Sequence, residues 1–157
     1  MSGKGAPIVG GTDGTDLYIV IVAGTWHEVI TDGLIAGAQR ALDAAGATWR
    51  LVRVPGSFEL AIAAQAAFAA GADAVVALGV IIRGGTPHFE YVSSATTDGL
   101  NRVALDAGKP VGFGVLTLDD EEQGIDRAGL PGSHEDKGAE AADAAVRTAL
   151  VLSELRA

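Results

Sequence analysis

Residues 17–23 read Leu-Tyr-Ile-Val-Ile-Val-Ala, an apolar, largely β-branched run with no polar residue at alternate positions. A strand with one solvated face alternates apolar and polar side chains, so this run predicts a strand covered on both faces. After Gly24-Thr25-Trp26-His27 a helical stretch follows to about Ala45, with Leu34, Ala38, Ala41 and Leu42 on one stripe and Gly46 as its stop.

The alternation then repeats. Trp49 to Val54 is a second strand, broken by Pro55-Gly56-Ser57, and Phe58 to Ala70 is helical, ending at Gly71. Ala74 to Ile82 is a third strand, and a helix from Phe89 to Ala107 stops at Gly108. Pro110 opens a fourth strand, Val111 to Leu116, and the tail supplies helices over Asp119 to Ala128 and Glu135 to Leu155. Ser133 is the expected cap of the last helix, with Asp136 as a short capping-box partner. Strands alternating with helices predict βαβ units, hence an α/β three-layer αβα sandwich on a four-stranded parallel sheet. One domain over residues 17–157 is expected, behind a glycine-rich N-terminal arm over 1–16 whose Ile8-Val9 can pair onto a sheet edge.

Composition excludes several classes. A net charge of −9 lacks the basic footprint of a nucleic-acid surface. No run of about 18 apolar residues escapes a charge or glycine break, so no membrane span is expected. Without cysteine the chain has no disulfide, thiolate metal site or thiol nucleophile. The N-terminus is too polar for a signal-peptide core, and a cytoplasmic location is the expectation.

The helix at 59–70, ELAIAAQAAFAA, is apolar nearly all round. An outer helix of a lone sandwich keeps a polar face, so this one is either shielded by its own chain or an interface, and interface is the expectation.

Ligands of open α/β sheets bind outside the carboxyl ends of the strands. Those ends here carry Trp26-His27, Pro55 to Glu59, and Arg83-Gly84-Gly85-Thr86-Pro87-His88. Two glycines let backbone amides approach a ligand, the following helix start favours an anion, and His88 can transfer protons near neutral pH. A glycine turn with a capping histidine accounts for the same residues. Around Ser57 the nucleophile elbow G-x-S-x-G is not met, which casts Ser57 as a hydrogen-bond donor or helix cap. The dinucleotide fingerprint is absent after the first strand. His27, His88 and His134 lack ligand-like spacing, so no metal is expected, and no lysine is well placed for a Schiff base. Gly33-xxx-Gly37 predicts close helix packing. Arg127 and Lys137 form a second basic pair on the tail, with solvated surface charge as the ordinary account of both.

The segments VPGSFEL (54–60), LGVIIRGGTPHFEYV (78–92), PVGFGVLTLDDEEQGIDRAG (110–129) and EDKGAEAA (135–142) resemble the lumazine synthase family in order and spacing. The resemblance implies a flavodoxin-like fold and the penultimate step of riboflavin biosynthesis: condensation of a ribitylaminopyrimidinedione with 3,4-dihydroxy-2-butanone 4-phosphate. It implies no metal or organic cofactor, two small-molecule substrates, and a pentamer with sites between neighbours, in some members assembled into an icosahedral shell. By the same resemblance Trp26 stacks on the pyrimidine, Ser57 and Glu59 hold the ribityl chain with Phe58 between them, Gly56 is a further substrate-binding residue, and Ile81 and Ile82 meet the ring through their backbone. Gly85 and Thr86 match the phosphate-binding turn and His88 the proton-transfer residue. Arg127 matches a phosphate-binding arginine from the adjacent subunit, which also supplies Phe113 and Lys137. The chain departs from many members at His27 and Asp136, where asparagine is common, and at Ala61, where proline is. The stretch from Arg127 to Lys137 is slightly longer than in shell-forming members, which points to free pentamers.

Overall fold

In the computed structural model, which describes Gly5 and residues 11–157, β1 (Tyr18–Ala23) lies inside the sheet, with its last five residues buried. Its side chains explain why the run does not alternate. Ile19 and Ile21 enter one apolar cluster and Val20 and Val22 enter another on the opposite face.

The remaining elements follow as α1 (Glu28–Ala44), β2 (Thr48–Arg53), a 3-10 turn (Ser57–Glu59), α2 (Leu60–Ala69), β3 (Ala74–Ile82) and α3 (His88–Ala107). β4 (Val111–Leu118), α4 (Glu121–Ile125) and α5 (Lys137–Leu155) complete the chain. The four strands are all parallel in the order β2-β1-β3-β4. α1 and α5 cover the face of Ile19 and Ile21, and α2 and α3 cover the other. This is the αβα sandwich expected from the alternation, with the flavodoxin-like topology that the resemblance implies. Strand order reverses between β1 and β3, and their carboxyl ends open the crevice that binds ligands in such sheets.

The expected arm falls partly outside the described residues, as does the pairing considered for Ile8-Val9. Residues 11–16 are described: Gly14 donates its amide to the Ala45 carbonyl at 2.8 Å, and Thr12 its hydroxyl to Asp143 at 3.3 Å.

The tail differs from expectation. α4 is a turn and a half rather than the helix expected over Asp119 to Ala128, because Asp120 caps it by accepting the Gln123 amide and Ala128 then pairs in antiparallel fashion with Asp136. Asp136, not Ser133, caps α5, accepting the Ala139 amide at 3.0 Å. Ser133 instead accepts the Leu130 amide and donates to the Ile125 carbonyl, closing the connection between the helices. The close packing expected at Gly33 and Gly37 is present. A Cβ on Gly37 would stand 2.1 Å from a carboxylate oxygen of Asp136, and one on Gly33 would stand 2.6 Å from the Ala128 carbonyl.

α2 is not shielded by its own chain. Ile62 at its centre is 65% exposed, and the helix turns Leu60, Ala64 and Phe68 inward. Among the described residues no helix is long and apolar enough to cross a membrane.

Candidate active site

The carboxyl ends of β1 and β2 are laced together. Gly24 donates its amide to Leu78 of β3, and the Thr25 hydroxyl donates to the Pro55 carbonyl at 2.7 Å. The next two residues turn sharply into α1. His27 takes a left-handed conformation, with φ 55° and ψ 64°, and is the only described non-glycine residue at positive φ. Buried Thr31 holds the turn from below, its hydroxyl donating to the Trp26 carbonyl at 2.7 Å and its amide to that of His27 at 2.9 Å. The turn delivers Trp26 to the surface with its ring against the backbone of Gly56.

After β2, Glu59 folds back on its own loop, its carboxylate accepting the Gly56 amide at 2.9 Å. One oxygen satisfies the turn, which leaves the other available to a ligand. Ser57 is buried between this turn and β3, and its carbonyl accepts the hydroxyl of buried Thr96 at 3.2 Å. Phe58 between them projects outward. Trp26 and Phe58 are 69% and 64% exposed, an unusual position for two of so few aromatic residues, and one that suits a flat ligand.

β3 ends in the glycine loop. Gly84, Gly85 and Thr86 are exposed, and α3 starts at His88, whose amide lies 3.4 Å from the Thr86 hydroxyl oxygen. These three strand ends enclose a cleft of about 820 Å³, lined by Trp26, His27, Gly56, Ser57, Phe58, Glu59, Val80, Ile81, Ile82, Gly84, Thr86 and His88 together with Phe89, Tyr91, Val92 and Ala95. That volume is in the range of small-molecule sites. Gly85 sits in the loop between two lining residues.

Phe113, Arg127 and Lys137 lie elsewhere. Phe113 projects from β4, a sheet edge, and is part-exposed. Arg127 follows α4, its guanidinium donating to the Gln123 carbonyl at 2.8 Å. Lys137 opens α5 and donates its amide to the Arg127 carbonyl at 2.9 Å, so the two basic residues ride on one paired segment. Lys137 is not the solvated charge expected of a surface lysine. Its side chain is only 12% exposed, between Glu135 and Glu140. Burial works to lower its pKa, but hydrogen bonds to the two carboxylates outweigh that and raise it. Of the residues singled out from sequence, Trp26, Gly56 to Glu59, Ile81, Ile82, Thr86 and His88 line the cleft, and Phe113, Arg127 and Lys137 do not.

Residues 16–153 match the family profile described as 6,7-dimethyl-8-ribityllumazine synthase. The chain is 73% identical to a protein of that name from Leifsonia xyli subsp. xyli, over 99% of both chains. It is 68% identical to the one from Clavibacter michiganensis subsp. michiganensis over 99% of both, and 56% identical to the one from Streptomyces avermitilis over 97% of this chain and 95% of the other. The chain belongs to the 6,7-dimethyl-8-ribityllumazine synthase family.

The match to the 6,7-dimethyl-8-ribityllumazine synthase profile spans the cleft residues and the three outside it, from Trp26 to Lys137. Sequence reasoning missed the wall formed by α3. Tyr91, Val92 and Ala95 follow His88 at three, four and seven residues, the spacing of one helix face, and that period was the signal. Gly79 was missed too. A Cβ there would lie 2.5 Å from the Ser57 hydroxyl oxygen, so glycine in β3 makes room for Ser57.

Proposed function

We propose that this chain condenses 5-amino-6-(D-ribitylamino)uracil with 3,4-dihydroxy-2-butanone 4-phosphate to 6,7-dimethyl-8-ribityllumazine, releasing phosphate and water. One observation carries the reading: in a chain of this family, Trp26, Glu59, Thr86 and His88 converge on one cleft at the strand ends.

Trp26 and Phe58 offer faces for the pyrimidine ring, and the Ile81 and Ile82 backbone offers edge contacts to it. Glu59 and Ser57, with Gly56, take the hydroxyls of the ribityl chain. The anionic second substrate needs donors and positive charge. The loop of Gly85 and Thr86 supplies donors beside the start of α3, where backbone N–H groups have no helical acceptor.

No protein nucleophile is required. The exposed amine of the pyrimidine attacks the ketone, and water leaves as the imine forms. Phosphate is then eliminated, and the ribityl-bearing nitrogen closes the ring with loss of a second water. His88 moves protons in these steps, a contribution of about 10²–10⁴-fold for a well-placed general acid–base group. Holding two reactants side by side accounts for much of the rest.

The one guanidinium next to the phosphate turn, that of Arg83, is already held by Glu90 and Asp119, whereas Arg127 lies outside the cleft. A neighbouring copy that presents its β4 edge to this cleft brings Arg127 to the phosphate. Such a contact joins unlike surfaces, and a heterologous contact whose rotation closes makes a ring. Exposed Ile62 on apolar α2 fits burial in that contact. The reading is therefore a homo-oligomer, and the family resemblance with its longer stretch from Arg127 to Lys137 favours a free pentamer over an icosahedral shell. It takes residues 17–157 as one domain behind an N-terminal arm, acting in the cytoplasm, where a chain without cysteine is at home.

The test mixes purified protein with both substrates and follows lumazine absorbance and phosphate release. Product must form faster than the spontaneous reaction and in step with phosphate. No excess over background contradicts the reading, and a yellow, flavin-loaded protein without turnover favours a flavin-binding relative.

A further inference from the structure

Residues 84–87 carry the phosphate-binding turn of the reading above, yet little holds them. A Cβ built on Gly84 or Gly85 would meet nothing within 4 Å. Among the described residues, Gly84, Gly85 and Thr86 make no hydrogen bond to a strand or helix other than the start of α3. The loop's shape therefore depends on its two ends.

Arg83 fixes both. Its amide donates to the Leu118 carbonyl at 2.8 Å, continuing the ladder to the end of β4. Its guanidinium then reaches in three directions. Nε donates to Asp119 at 3.0 Å, Nη1 donates to Glu90 in the first turn of α3, and the group lies 4.2 Å from the centre of the Phe89 ring. Phe89 and Glu90 directly follow His88, and Phe89 itself lines the cleft. Donating to Asp119 and Glu90 raises the pKa of Arg83, and accepting from Arg83 lowers that of Glu90, so both partners stay ionised near neutral pH.

We propose that Arg83 is a positioning residue for this reaction, clamping the start of α3 to the end of β4 so that His88 and the Gly85-Thr86 turn keep one geometry. This rests on the roles given above to His88 and the turn. A lysine does not replace the clamp, because its ammonium is a compact point charge without the rigid planar fork that both bonds the carboxylates at fixed angles and stacks on a ring. Both ion pairs are solvent-exposed, so the clamp adds little to global stability.

The experiment compares the wild type, Arg83→Lys, Arg83→Ala and the double variant Glu90→Gln/Asp119→Asn. The double variant leaves the Arg83 charge in place and weakens only what holds it. Wild-type turnover tests the underlying reading by itself. With an active wild type, all three variants must keep the wild-type circular dichroism spectrum and melting temperature. Each must lose roughly 10- to 100-fold in kcat/KM for the phosphorylated ketone, the scale of a misplaced reacting geometry, with KM for the pyrimidine held within about twofold. If the double variant works like the wild type while Arg83→Ala fails, Arg83 acts on the phosphate directly and the clamp is wrong. A KM for the pyrimidine raised as much as that for the ketone, or lowered melting temperatures in step with activity, also overturns it.

Discussion

A Cβ on Gly79 of β3 would stand 2.5 Å from the Ser57 hydroxyl oxygen and 3.0 Å from a Leu60 methyl. The floor of the cleft thus depends on a strand residue without a side chain. Gly79→Ala must push Ser57 and the turn that carries Glu59 toward the ligand. The expected outcome is a loss of about 1–3 kcal/mol in urea unfolding, typical of an overpacked core, with a raised KM for the pyrimidine. Unchanged stability and KM contradict this placement of Ser57.

His27 is explained by its backbone. Non-glycine residues rarely accept the left-handed region, and Asn, Asp and His are the most tolerant. The backbone thus accounts for histidine at this position without assigning His27 any chemistry, and asparagine would serve equally. His27→Asn must keep both stability and turnover, whereas His27→Val must lose about 1–2 kcal/mol and misplace Trp26. A large loss of kcat in the well-folded Asn variant indicates a chemical role instead.

Asp136 ties α5 to α1, capping the Ala139 amide and pairing with Arg40 at 2.8 Å. The Arg40 side chain is well exposed, so the cap outweighs the ion pair. Asp136→Ala is expected to cost about 0.5–2 kcal/mol, and Asp136→Asn, which still caps, much less. Differential scanning calorimetry separates the two; equal losses place the stabilisation in the ion pair.

The connection carrying Arg127 is fastened by His134, whose ring Nδ1 meets Asp126 while its amide donates to the same oxygen at 3.1 Å. The hydrogen bond to Asp126 raises the His134 pKa above its ordinary 6.5, and that to His134 lowers the Asp126 pKa below 3.8. A raised histidine stabilises fully below its unfolded value, and its contribution fades as pH rises through the folded one. A depressed carboxylate stabilises above its unfolded value, and its contribution fades as pH falls through the folded one. The fastening is therefore strongest between the two ordinary values, and it loosens as pH rises through the raised His134 value or falls through the lowered Asp126 one. An NMR titration must place His134 above 6.5 and return it toward that value in Asp126→Asn. No change on substitution contradicts the pairing.

The layers of the fold were legible in the sequence because parallel strands buried on both faces leave unbroken apolar runs, and Ile19 to Ala23 is such a run. The cleft was legible because loops after such strands carry the polar groups, as at Thr86 and His88. The α4–α5 connection was not. Its shape is set by the Ala128–Asp136 pairing and by contacts of Asp136 with Gly37, which no local pattern encodes. For the same reason the burial of Lys137 between two glutamates was hidden, since a lysine at a helix start ordinarily points to water.

The separation of Arg127 from His88 gives the central claim its direct test. Arg127→Ala and His88→Ala, each nearly inactive alone, are co-expressed so that both enter one oligomer. If each site joins the cleft of one copy to the Arg127 edge of the next, random mixing restores about a quarter of the sites, those with His88 from one subunit and Arg127 from its neighbour. Activity must then rise well above the sum of the two variants, with the KM for the phosphorylated ketone back at its wild-type value. Mixed oligomers no more active than that sum contradict a shared site.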